Sequence, residues 1–195
     1  MDRPARIHGE DPFPQGRVPA AHRGVLREAR VDDAGDLVVL EEQDRSRWNQ
    51  KQITEALPMV EEAMRLTPGP YALQAAIAVE HCQAARAADT NWSLINRLYE
   101  LLEQTQPSPI VTLNRAVAIA MAGDVDGGLA SIDSLIGAGH LEEYHLVYAA
   151  RADLLRRKGE TGAAADSYRQ ALRLVTNESE RRFLERRLHE VRASL

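Results

Sequence analysis

Between Thr90 and Thr176 the chain carries one pattern of small, aliphatic and aromatic residues three times. Thr90, Gly123 and Gly159 set the frame, at spacings of 33 and then 36 residues. Five positions after each comes Ile95, Gly128 or Ala164, and nine after comes Tyr99, Ile132 or Tyr168. Twelve after comes Leu102, Leu135 or Ala171, and seventeen after comes Pro107, His140 or Thr176. Ala116 and Ala152 precede two of the turns at a shared offset. A repeat of this length is a helix pair whose apolar face cannot be buried within the pair, so neighbours must stack to bury it. Small residues at the tightest crossing let two backbones approach, and the bulky residue nine after the turn fills the space between pairs.

The segment Gly159-Glu160-Thr161-Gly162-Ala163-Ala164-Ala165-Asp166-Ser167-Tyr168-Arg169-Gln170-Ala171-Leu172 resembles the tetratricopeptide (TPR) pattern. The expected fold is all-α: a TPR-like antiparallel helix-pair solenoid of about three pairs, with an extra helix at each end. Punctuation supports it. Asn49 with Gln52, and Asn177 with Glu180, are capping boxes, and Trp48 with Ile53 fits a hydrophobic staple. Pro70 and Pro109 suit the first position of a helix, and Gly159 suits the position just past one. The predicted helices span 49–66 (kinked at Pro58), 70–86, 91–105, 109–122, 125–136, 141–158, 160–175 and 177–192. Residues 1–47 read as an irregular arm or linker, rich in Pro, Gly and Arg over 1–30, with a short extended stretch or hairpin edge at 37–40. Residues 48–195 form the repeat domain.

The chain's residues argue for binding rather than chemistry. Asp and Glu outnumber Lys and Arg, 29 to 24, for a formal charge of −5, so a dedicated nucleic-acid surface and direct DNA contact are not expected. Cys82 is the lone cysteine, which leaves neither a disulfide nor a Cys-based zinc site within one chain. The six histidines form no His-x3-His set, and Glu80-His81-Cys82 point in three directions on a helix. No nucleophile elbow or phosphate-binding glycine loop is present. No catalytic residue, metal site or cofactor is therefore expected. No apolar run approaches the length of a membrane span and the N-terminus leads into no signal sequence, which points to a cytoplasmic protein without a membrane partner.

A solenoid offers a concave groove built from the first helix of each pair. Its candidate lining is Asn114 and Arg115 with Tyr144, Tyr148 and Arg151. The asparagine would hydrogen-bond, the arginines would pair with partner carboxylates and the tyrosines would anchor apolar surface. Tyr148 and Arg151 equally suit packing between repeats. Asp44, Arg45, Arg47 and Trp48 form a candidate docking elbow, or else a linker whose charges pair locally and whose Trp staples the first helix. Glu178–Arg182 and Arg181–Glu185 mark the last helix as a charged cap.

An ordered series of motifs extends these readings. It comprises Glu42-Gln43-Asp44-Arg45-Ser46-Arg47-Trp48, Gly69-Pro70-Tyr71-Ala72-Leu73-Gln74-Ala75-Ala76-Ile77-Ala78, Leu113-Asn114-Arg115-Ala116-Val117-Ala118, Ala149-Ala150-Arg151-Ala152-Asp153-Leu154-Leu155-Arg156-Arg157 and Glu180-Arg181-Arg182-Phe183-Leu184. Over residues 31–192 it resembles the C-terminal, TPR-like extension of a group of extracytoplasmic-function (ECF) RNA polymerase sigma factors. The two sigma regions that precede the extension in that group find no counterpart here, so promoter recognition is not implied. The resemblance implies a non-enzymatic module that modulates sigma activity by contact with a sigma region, RNA polymerase or a signalling protein. A general helical-repeat adaptor and a small-molecule sensor are the alternatives.

Overall fold

In the computed structural model, residues 32, 36–65 and 68–194 are described. Residues 1–31 lie outside them, and with them most of the expected irregular arm, His8 and His22. Among the described residues eight α-helices follow one another: α1 (Gln50–Arg65), α2 (Pro70–Gln83), α3 (Trp92–Thr105), α4 (Pro109–Met121), α5 (Val125–Gly137), α6 (His145–Lys158), α7 (Thr161–Leu174) and α8 (Glu178–Arg192). Their ends are chemically specified. The side chains of Asn91, Ser108, Asp124 and Asn177 accept hydrogen bonds from first-turn amides of α3, α4, α5 and α8. The repeat turns after α4 and α6 place Gly123 at φ 115° and Gly159 at φ 86°, where a side chain would be strained. In each, two amides return to the closing turn: Gly159 N to the Arg156 carbonyl and Glu160 N to that of Leu155, with Gly123 and Asp124 doing the same onto Ala120 and Ile119.

Three local expectations differ. The helix predicted over 70–86 ends at Gln83, and a 3-10 turn, Ala87–Asp89, follows. Residues 141–144 form a turn before α6 instead of its first turn, with Leu141 at φ 61°. The segment 37–40 makes no strand; only Leu37 takes part in an isolated bridge, and no strand occurs among the described residues. Pro58 lies inside α1, which stays helical on both sides of it.

Each helix packs on the next, and α4 also meets α6, so the helices form a solenoid-like stack of pairs: α2–α3, α4–α5 and α6–α7, flanked by α1 and α8. The repeat positions are the interior. Ile95, Ala116, Ile132, Ala152, Ala164 and Ala171 are wholly buried, with Tyr99, Leu102, Leu135 and Tyr168 also inside. By contrast Pro107, His140 and Thr176, at the offset of the inter-pair loops, are exposed. One apolar cluster runs through α4 to α8 and a second joins α2, α3 and α4, with Val60 and Met64 of α1 at its edge. A small third cluster joins Trp48 and Ile53 with Leu40, Leu57 and Cys82.

Candidate functional site

The first helices of the pairs, α2, α4 and α6, together with α8, present one face, and the chain's own residues 36–49 lie along it. This strap is held by side chains. Val39 is buried in the main apolar cluster, Leu37 packs against that cluster, and Leu40 leans on Trp48 and Ile53. Three of its carboxylates meet arginines of α6 and α8. Asp36 pairs with Arg182 at 2.5 Å, Glu41 with Arg157 at 2.6 Å and Glu42 with Arg187 at 2.7 Å. The main-chain bonds of the strap are local, Glu42 N and Gln43 N both donating to the Val39 carbonyl, and the Gln43 side-chain Nε2 donates to the Val38 carbonyl. Beneath it remains a partly open cavity of about 40 Å³, lined by Val39, Leu40, His81, Trp92, Val117 and Met121 and by charged Glu41, Asp153, Arg157 and Arg187.

The charges of this face are arranged in a chain. Asp153, buried in α6, accepts from Arg156 Nη2 and Arg157 Nε, each at 2.6 Å, and Arg157 reaches on to Glu41. Burial alone would depress the Arg157 guanidinium; Asp153 and Glu41 outweigh it and hold the group above its ordinary value. Arg187 is held up in the same way by Glu190 and Glu42. Burial, reinforced by the nearby Asp153 carboxylate, pushes the Tyr168 phenol up to about 12. These arginines are permanently charged, and the strap's acids neutralise them.

The sequence-predicted groove residues are not brought together on this face. Arg115 Nη1 donates to Glu103 at 2.7 Å and Nη2 to Glu100 at 3.1 Å, both on α3. Arg151 donates to Asp133 of α5 at 2.6 Å and to Ser167 of α7 at 2.8 Å. Glu100 and Asp133 each lie ten residues past their repeat turns, and Arg115 and Arg151 each eight before theirs. One ion-pair latch therefore recurs, tying the first helix of a pair to the second helix of the pair before it. Asn114 is only 5 % exposed, and its Nδ2 has no hydrogen-bond partner among the described residues. Tyr148 is half-buried against the main apolar cluster. Tyr144, at the N-cap of α6, packs there too and tilts against the His145 ring at 5.9 Å.

The elbow residues are brought together, against α2. Asp44 accepts from Ser46 N and caps a 3-10 turn, Arg45–Arg47. Arg45 Nη1 donates to the His81 and Ala84 carbonyls at 2.6 and 2.5 Å, satisfying the end of α2, and its guanidinium lies 4.7 Å from the Trp48 ring centre. Trp48 is buried as a staple, and Arg47 is exposed. The strap acids and the arginines of α6 and α8 were missed in the sequence. The available signal was an acidic segment, Asp32 to Glu42, enclosing Leu37-Val38-Val39-Leu40, set against the basic runs Arg156-Arg157-Lys158 and Arg181 to Arg187.

Among the described residues no group of three or more His, Cys, Asp and Glu is placed to hold a metal ion, and no helix is long and apolar enough to cross a membrane. A family of unknown function (DUF6596) matches residues 25–64, which take in the strap and nearly all of α1. The chain is 42 % identical over 166 residues to an uncharacterised protein of Rhizobium meliloti (strain 1021). That match covers 85 % of this chain but spans only 39 % of the relative's length. No solved structure matches.

Proposed function

We propose that this chain is a non-enzymatic, protein-binding regulatory module of the kind found as the C-terminal TPR-like extension of ECF sigma factors, acting on transcription initiation through a sigma region, RNA polymerase or a signalling protein. The observation that carries this reading is the stack of helix pairs whose first helices present one charged and apolar face, a surface suited to a segment of another protein. The ordered motif series over residues 31–192, which resembles that extension, supports the same reading. A general adaptor without a transcription role is the alternative. The cavity under the strap does not by itself supply a small-molecule site, since its volume of about 40 Å³ falls far below the several hundred cubic ångströms typical of such sites.

The test is retention on the immobilised full chain of purified core RNA polymerase and of isolated sigma regions from its host. Retention of either supports the reading. Passage of both without retention, at protein concentrations where weak regulatory complexes form, removes direct contact with polymerase and sigma regions and leaves a signalling partner or the adaptor.

A further inference from the structure

We propose that the face formed by α2, α4, α6 and α8 is a docking groove for extended segments in which aliphatic residues are flanked by carboxylates, that residues 36–42 occupy it in cis, and that a partner segment of the same chemistry enters by displacing them. The proposal rests on the reading of the chain as a protein-binding module and specifies the ligand of that module.

Four observations carry it. Among the described residues no strap amide pairs with a helix; recognition runs through Val39, Leu37 and the three carboxylates, so any chain with that side-chain pattern meets the same donors. The groove's charge is complementary and specific in position, with Arg182, Arg157 and Arg187 each taking a separate acid. The strap leaves a cavity under it, with Trp92, Val117 and Met121 on its walls, so a bulkier aliphatic side chain would fill the groove better than the resident one. Leu40 apart, the strap's acidic stretch and its anchor are held by different contacts. Arg45 on the α2 carbonyls and Trp48 against Ile53 hold residues 44–49, which lets residues 36–42 leave while α1 stays docked.

The ion pairs are partly exposed: Glu41 is 40 % and Glu42 51 % accessible at the side chain. Each is therefore weak alone, and the contact is poised for exchange. Recognition by side chains on a groove of helices follows the logic of peptide-binding repeats, with the native segment acting as a tethered competitor whose high effective concentration a partner must overcome.

The experiment measures binding of a labelled peptide of residues 32–43 to the full chain by fluorescence anisotropy. The same titration is run on the chain carrying Asp36→Asn, Glu41→Gln and Glu42→Gln together, which weakens the resident strap. The expected result is at least fivefold tighter binding to the substituted chain, falling with added salt. Adding Arg182→Gln and Arg187→Gln to it should return binding to the level of the unaltered chain. Equal affinity for the unaltered and strap-substituted chains, or binding that ignores the arginine changes, overturns the proposal. Hydrogen exchange on the unaltered chain tests it without substitutions: the amides of residues 40–43 should exchange well ahead of those in α4 and α6. Exchange of the strap only together with the core would show that it never leaves, and would equally end the idea. Peptide capture without polymerase or sigma retention keeps the groove and removes polymerase and sigma regions as its partners. Polymerase retention by a chain that fails the peptide test does the reverse.

Discussion

Gly128→Ala tests the repeat packing at its tightest point. A β-carbon built on Gly128 of α5 falls 2.6 Å from the Ala116 carbonyl oxygen and 2.7 Å from the Ala120 β-carbon, both on α4. Neither atom can rotate aside, because one is backbone and the other has no side-chain torsion. Ordinary contact begins at 3.4 Å, so the two helices must part locally by the difference, 3.4 less 2.6, or 0.8 Å. That movement loosens Leu113, Val117, Leu129 and Ile132 in the same buried cluster. Alanine is worth about 1 kcal/mol over glycine in a helix interior, and forcing an extra carbon into a packed interface costs about 1–3 kcal/mol. Setting the first against the second, the net expectation is a loss of about 0–2 kcal/mol. Gly162→Ala is the internal control. It also lies on a helix, α7, but its β-carbon meets nothing within 4 Å, so it is neutral or stabilising by up to about 0.5–1 kcal/mol. At about 2–4 °C per kcal/mol for a domain of this size, the two variants should melt up to several degrees apart, with Gly128→Ala the lower. Thermal unfolding followed by far-UV circular dichroism reads this directly. A Gly128→Ala protein that melts as high as Gly162→Ala refutes the close crossing of α4 and α5.

Ala152→Leu probes the equivalent crossing around α6, where Ala152 is wholly buried; overpacking should cost about 1–3 kcal/mol in chemical denaturation, and no change would mean that the register is misplaced. Burial pushes the Cys82 thiol up from 9.0 to about 11, against the opposing pull of Arg45, so alkylation near neutral pH should run about 100-fold slower than for an unburied thiol, since only the thiolate reacts; equal rates would contradict the packing of Cys82 beside Trp48 and Ile53. For Glu103, burial by itself raises the carboxyl, but hydrogen bonds from Thr112 and Arg115 and the Arg115 charge outweigh it and leave the group below its ordinary 4.5. A folded-state value below the unfolded one stabilises fully above the unfolded value and is lost as pH falls through the folded one. Glu103→Gln should therefore flatten the acid side of the stability–pH curve, and an unchanged slope would remove the Arg115 latch from the stability of the stack.

The order and type of the helices, their caps and the interior register were legible in the sequence because they are local. A helix pair repeats its own small and bulky positions, and a cap acts over three or four residues, so Ala116, Ala152, Tyr168, Asn177 and Gly159 each announce their place without reference to distant chain. What fills the first-helix face was not legible. Asp36, Glu41 and Glu42 lie more than a hundred residues from Arg157, Arg182 and Arg187, and a charge in sequence carries no mark of its partner. The same limit hid the partners of Arg115 and Arg151. Their types suited a groove, but side-chain direction on a packed helix decides what an arginine meets, and stacking turns both toward the acids of the preceding pair. Periodicity settles which residues go inside; only the juxtaposition of helices far apart in the chain settles which polar side chains face each other, because those contacts depend on the angle and depth at which whole elements dock.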